Sequence, residues 1–268
     1  MRFKFDHDLH IHSKISLCSS DEEQTKERIL QYALDNGLKK ICVTDHFWDS
    51  DIEGASDWYK NQNFEWINKI LPLPKADGVE FLFGAETEMD KTPRIGLGKK
   101  YYDVFDFIIV PTTHLNNAGF SLTEEEAKSV EGRAAAWIRK LEHLLYSDLP
   151  FHKTGAAHLA CNLISKEREV TLAVLDSLPE AELTRLFKRA ADIGIGIELN
   201  SSDMSFKDSE ASTVLRIFEI AKLCGCKFYL GSDAHHPKAF LRAPAIFERA
   251  IDYLELKESD KLELVKSR

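Results

Sequence analysis

Apolar positions along the chain alternate between two periods. Short runs in which nearly every residue is apolar read as strands buried on both faces. These are Ile41-Cys42-Val43-Thr44-Asp45-His46, Phe81-Leu82-Phe83-Gly84-Ala85-Glu86, Phe107-Ile108-Ile109-Val110, Thr154-Gly155-Ala156-Ala157-His158, Ile193 to Asn200 and Phe228-Tyr229-Leu230. A further strand opens the chain at Asp8-Leu9-His10-Ile11-His12-Ser13. Its strict alternation predicts Asp8, His10 and His12 on one face and Leu9 with Ile11 on the other. Longer helical patterns separate the runs. Ser20-Asp21-Glu22-Glu23 has the spacing of a capping box and predicts a helix through Ile29, Ala33 and Leu34, closed at Gly37. A second box, Thr123-Glu124-Glu125-Glu126, predicts the start of a long helix carrying Trp137, Leu141, Leu144 and Leu145. Helical spacing returns from Pro179 to Asp192, from about Ser209 to Gly225, and in a charged tail from Pro244 whose Leu254, Leu256, Leu262 and Leu264 are free to dock. Strands alternating with helices predict an α/β fold with a parallel sheet.

Composition narrows the class. A length of 268 residues is ordinary for an α/β barrel, and 44% hydrophobic residues can fill a large core. No internal repeat or linker divides the chain, so a single domain over residues 1–268 is expected. The apolar runs are too short to span a membrane, and Met1-Arg2-Phe3-Lys4-Phe5-Asp6 carries no apolar signal region. The five irregularly placed cysteines then read as reduced thiols of a cytoplasmic protein. A net charge of -9 argues against a surface that tracks a nucleic-acid backbone.

The chemistry collects at the ends of the strands. His10 and His12 close the first, His46 the second, Glu86 the third, His114 follows the fourth, His158 closes the fifth, Glu198 the sixth, and Asp233 with His235 the seventh. In a (β/α) barrel the C-terminal strand ends meet at one mouth, so residues two hundred positions apart converge. Imidazoles with carboxylates suit zinc, iron or manganese. The aromatic stretch from Phe47 to Pro74, with Trp48, Trp58, Tyr59, Phe64 and Trp66, either lines a pocket at that mouth or packs a loop and a short helix.

Asp8-Leu9-His10-Ile11-His12-Ser13, Thr44-Asp45-His46, Gly84-Ala85-Glu86, His114, His158 and Gly231-Ser232-Asp233-Ala234-His235 together resemble the motifs of the PHP family, the polymerase and histidinol-phosphatase superfamily. The resemblance covers essentially the whole chain. It implies a distorted (β/α)7, TIM-like barrel with two or three divalent metal ions (Zn, Fe or Mn) at its mouth. It places His10, His12, Glu86 and Asp233 around one metal, Glu86 bridging to a second held by His114 and His158, and His46 with His235 on a third. Many members add a histidine shortly after the first motif. The corresponding stretch here, Ser16-Leu17-Cys18-Ser19-Ser20-Asp21, has none, and leaves open a Cys18 thiolate or a weak or absent third metal. Glu88 is a second possible bridge with a less suitable spacing.

Adjacent dications make a water acidic and neutralise phosphoryl oxygens, so the expected reaction is hydrolysis of a small phosphate monoester by a metal-bound hydroxide. Asp233, His235 and Asp45 are the candidate catalytic groups, Asp45 as an orienter or proton carrier beside His46. Arg168, Arg242 and Lys153, which neighbour motif strands in sequence, are candidate phosphate contacts. The expected partner is a small phosphorylated metabolite, with no nucleic acid and no membrane. A PHP-type phosphodiesterase or nuclease is the alternative enzyme, and a catalytically silent metal-binding module is the alternative outside enzymes.

Overall fold

The computed structural model describes residues 1–19 and 21–264. Its strands are β1 (His7–Ile11), β2 (Lys40–Val43), β3 (His46–Phe47), β4 (Glu80–Phe83), β5 (Ala85–Thr87), β6 (Ile108–Pro111), β7 (Thr154–Ala157), β8 (Gly196–Asn200) and β9 (Lys227–Gly231). Its helices are α1 (Lys26–Asp35), α2 (Phe64–Ile67), α3 (Val130–Leu145), α4 (Arg168–Ser177), α5 (Glu180–Ile193), α6 (Ala211–Leu223), α7 (Pro237–Phe240) and α8 (Ala243–Tyr253). Every strand pairing is parallel, in a three-stranded sheet β1-β2-β4 and a six-stranded sheet β3-β5-β6-β7-β8-β9.

The seven expected runs are all present, but two are divided. The 41–46 run breaks at Thr44-Asp45 and the 81–86 run at Gly84, so each passes from the small sheet into the large one. Gly84 permits the crossing, because a Cβ there would lie 2.5 Å from the Phe107 carbonyl and 2.7 Å from the Cys42 sulfur. The first and last strands meet through a parallel bridge between Ile11 and Ala234. Asp233 N–H donates to the His10 carbonyl and His12 N–H to the Ala234 carbonyl. The result is a distorted (β/α)7 barrel.

The faces of β1 depart from simple alternation. Pairing with β2 slips between Asp8 and Ile11. Asp8 accepts from the Tyr32 hydroxyl of α1, Leu9 joins the inner apolar cluster, and Ile11 joins the larger outer core. The irregularity sends Leu9 and His10 both inward and excludes Asp8 from the mouth, as bulges beside functional sites commonly do. The inner cluster draws Leu9, Cys42, Leu82, Ile109, Ala157 and Tyr229 from six strands, with Phe107 and Leu262. The tail after α8 covers the N-terminal end of the barrel. Leu262 N–H donates to the Phe228 carbonyl, and Leu254, Leu256 and Leu262 are buried.

Helix starts also differ from the capping spacings. Ser20 of the first box lies outside the described residues. Asp21 to Gln24 form a turn, and Thr25 caps α1 by accepting from Arg28 N–H. The second box closes reciprocally between Thr123 and Glu126 but opens only one short turn. Ser129 then caps α3, whose Trp137, Leu141, Leu144 and Leu145 are buried as expected. The 193–200 run begins late, because Ile193 still belongs to α5 and Gly194, at φ +73°, ends that helix. Among the described residues no helix is long and apolar enough to cross a membrane.

Candidate metal centre

The C-terminal strand ends bring the expected ligands together, and Glu86 sits at the centre of them. Its Oε2 lies 3.6 Å from His10 Nε2, 3.2 Å from His12 Nε2 and 2.9 Å from His46 Nδ1, and its Oε1 lies 3.4 Å from His158 Nε2. Asp233 faces the same group, with Oδ1 3.4 Å from His10 Nε2 and 3.1 Å from His12 Nε2, and Oδ2 3.6 Å from His158 Nε2. Among the described residues five sets have ligand atoms within 4.8 Å of one another: His10, His12 and Glu86; Glu86, His114 and His158; His12, Cys18, His46 and His235; His10, His158 and Glu198; and His158, Cys161 and Asp203.

These separations fit metal coordination. Ligands about 2.1 Å from a tetrahedral ion stand roughly 3.4 Å apart along the edges of the polyhedron. Both Glu86 oxygens, His12 Nδ1 and His46 Nδ1 are buried without a hydrogen bond of acceptable geometry. Buried polar atoms left in this way are costly unless something binds them. His10 Nε2 and His12 Nε2 stand 3.1 Å apart, so in the metal-free chain one must carry a proton toward the other.

Outer partners orient the rings. Glu198 Oε1 accepts from His10 Nδ1 at 2.6 Å, and Glu88 Oε2 accepts from His114 Nδ1 at 2.7 Å. The Asp233 carbonyl accepts from His235 Nδ1 at 2.7 Å. Each bond keeps the proton on Nδ1 and leaves Nε2 able to ligate. Glu88 is thereby engaged with His114, and it also accepts from Met89 N–H. Asp203, a buried carboxylate the sequence reading passed over, lies 4.0 Å from His158 Nδ1. Its place soon after the end of β8 was the available signal. His158 and Asp233 themselves adopt left-handed backbone, at φ 58° and 53°. Such strain gathers at functional sites and costs about 1–3 kcal/mol per residue.

Charge is balanced internally. Burial works against charge on every group, but the facing carboxylates of Glu198, Glu86 and Asp233 outweigh it and hold the His10 pKa well above the ordinary value. His12 is likewise pushed up to about 10, despite burial, by Cys18, Asp233 and Glu86. The imidazoles in turn hold Glu86 and Asp233 well below the usual carboxylate range against their own burial. The protons on these histidines occupy positions that a cation would take.

Four of the expected site residues lie away from the cavity lining. Asp45 does not line the cavity. Its oxygens accept from Ser13 N–H and Ser13 Oγ–H, both at 2.7 Å, and burial pushes its pKa up to about 6. It anchors the loop after β1. Lys153 precedes β7, at the end of the barrel opposite His158, and donates to the Phe105 carbonyl. Arg168 is engaged by Glu210 at 2.7 Å and Asn162 at 2.8 Å. Arg242 is exposed just before α8. None of these three cations reaches the cavity.

A cavity of about 350 Å³ opens over the cluster. His46, Glu86, His114, His158, Asp233 and His235 form its floor. Trp58, Tyr59, Phe120 and Leu163 supply apolar wall, and Ser56, Asn116, Asn117 and Ser121 supply polar groups. Tyr59 stacks on Phe120 with centroids 5.6 Å apart, and Trp58 meets the His46 ring edge-on at 4.8 Å. Of the aromatic stretch, Trp58 and Tyr59 line the mouth, while Trp48 is buried and Phe64 and Trp66 pack against the core. The 116–121 contribution went unread in the sequence, although it directly follows His114. Among the described residues no lysine or arginine lines the cavity.

Comparison with known proteins gives the family. The PHP domain model matches residues 8–202. A probable phosphatase of Thermoanaerobacter sp. (strain X514) is 26% identical over 231 residues, covering 85% of this chain and 78% of that protein. The putative histidinol phosphatase of Listeria monocytogenes aligns with a TM-score of 0.62 at 14% identity, over 90% of this chain and 99% of that one. The histidinol phosphate phosphatase of Lactococcus lactis, solved with zinc, L-histidinol and phosphate, aligns with a TM-score of 0.56 at 18% identity, over 91% and 93%.

Proposed function

The chain belongs to the PHP domain family and is a hydrolytic phosphatase, and from that premise we propose that it removes phosphate from small monoesters whose alcohol half is uncharged or cationic. The observation that carries the reading is a cavity with a ligand-rich floor and, among the described residues, no lysine or arginine in its walls. When bound there, divalent ions supply a hydroxide nucleophile near neutral pH and neutralise the phosphoryl oxygens. His10, His12, Glu86 and Asp233 would hold one ion, and Glu86, His114 and His158 a second. Glu198 and Glu88 fix the rings of His10 and His114 for that task.

The chain's own residues then select the ester. With no Arg or Lys in the walls among the described residues, a second anionic group on the substrate would meet no counter-charge from them. Trp58, Tyr59 and Phe120 offer faces to a ring or an apolar stem, and Asn116, Asn117 and Ser121 offer hydrogen bonds. Histidinol phosphate has this character, and the Lactococcus relative was solved with L-histidinol and phosphate. A nucleic-acid strand needs a basic or stacking track beyond the cavity, and the charge balance of 44 acidic against 35 basic residues supplies no excess of cations.

The test compares histidinol phosphate, sugar phosphates and nucleoside monophosphates with labelled oligonucleotides, using metal-loaded protein. Phosphate release from the monoesters, lost in Asp233→Asn, is expected. Faster oligonucleotide cleavage, also lost in Asp233→Asn, would move the reading to a nuclease. No turnover of either class would leave a metal-binding module.

A further inference from the structure

We propose that Cys18 binds a divalent ion through its thiolate, together with His46 and His235, in a mixed sulfur–nitrogen site beside the Glu86 cluster. The proposal rests on the metal-centre reading above and adds a sulfur ligand to it. Cys18, His46, His235 and His12 present ligand atoms within 4.8 Å of one another. His12 is shared with the His10–Glu86 set, so Cys18, His46 and His235 are the ligands particular to this position.

The loop that carries Cys18 is tied to the other two ligands on both sides. Two residues before it, Ser16 Oγ accepts from His46 N–H at 3.4 Å. One residue after it, Ser19 Oγ donates to the His235 carbonyl at 2.6 Å. Asp45 fastens the start of the same loop through Ser13, and Gln62 accepts from Leu17 N–H at 3.0 Å. This wiring ties the loop to the segments that carry both imidazoles before any ion arrives, and pre-organised ligands bind more tightly.

The acceptor nitrogens are available. His235 gives its Nδ1 proton to the Asp233 carbonyl, which leaves Nε2 to ligate. His46 Nδ1 is buried without a hydrogen bond of acceptable geometry. Cys18 itself is partly exposed on the cavity wall, and its thiol donates to Ser16 Oγ at 3.3 Å. Cys42, Cys161 and Cys226 are instead buried. Binding would form a sulfur–metal bond and release the S–H proton to solvent. Three protein ligands would leave a fourth position for water or substrate. A thiolate there favours zinc over manganese or magnesium, since soft sulfur suits the former.

The test is cobalt(II) substitution of the full-length protein, read by absorption and by metal content. A near-ultraviolet thiolate-to-cobalt charge-transfer band is expected in the unmodified protein and in Cys161→Ser. It should vanish in Cys18→Ser and Cys18→His, with the bound-ion count falling in the former and recovering in the latter. X-ray absorption of the unmodified zinc-loaded protein should show a sulfur shell at about 2.3 Å and does not depend on any variant folding. Metal bound without the band or the sulfur shell, or a band that survives in Cys18→Ser, overturns the Cys18 proposal and leaves the phosphatase reading standing. Failure to bind any metal overturns both.

Discussion

Replacing Glu198 by glutamine exchanges one oxygen for an amide and removes one buried acceptor. Glu198 Oε1 takes the His10 Nδ1 proton at 2.6 Å, and Oε2 takes the His158 N–H at 3.1 Å. The side chain is fully buried, so water cannot replace either bond. Glutamine has one oxygen for two donors. If that oxygen serves His158, the amide N–H meets His10 Nδ1, and the ring proton moves to Nε2. That nitrogen faces Glu86 and Asp233 and cannot ligate while protonated. If the oxygen serves His10, two N–H groups oppose each other at His158, where the backbone is already left-handed. Loss of an outer-shell partner of this kind weakens metal binding roughly 10–100-fold, or about 1.4–2.7 kcal/mol. Competition between the metal-free protein and a chromophoric chelator measures it, with circular dichroism to verify the fold. Zinc affinity unchanged in a folded Glu198→Gln protein would refute the argument that this carboxylate sets the His10 tautomer.

Glu86→Gln is expected to cost more activity than Glu88→Gln, since Glu86 faces four imidazoles while Glu88 orients His114 from outside; equal losses in kcat/KM would count against that division. Metal binding should strengthen as pH rises. The metal-free chain holds a proton on His12 up to about pH 10, and coordination expels it, so affinity should gain roughly tenfold per pH unit for each proton released and level off above that pKa. Calorimetry in buffers of different ionisation heat should register the release, and a binding heat independent of buffer would contradict it. Gly155→Ala should lower stability by about 1–3 kcal/mol, because its Cβ would sit 2.5–2.6 Å from two carbons of the Tyr229 ring inside the barrel; an unshifted denaturant midpoint would show that the ring can move aside.

The convergence of these side chains was legible because strand ends are positional. Once the parallel alternation is read, His46, Glu86, His158 and Asp233 must share the mouth, whatever lies between them. What was not legible depended on finer geometry. Lys153 and His158 are five positions apart and sit at opposite ends of β7, a distinction that needs the exact strand limits. The β1 irregularity moved Asp8 to Tyr32 of α1, and no periodicity within five residues announces a bulge. The capping spacing at Thr123 was a local signal overruled by Ser129, whose helix packs the barrel. Arg168 looked free in sequence and is held by Glu210, a pairing across two helical connections.

Metal dependence is the point on which the account stands. Chelated protein, titrated with zinc, iron or manganese while phosphate release from a small monoester and bound metal are followed together, tests it directly. The account expects no turnover before addition, and activity that rises with bound metal to a plateau at two or more ions per chain. Turnover that persists after exhaustive chelation, or a chain that binds less than one ion and remains fully active, would contradict it.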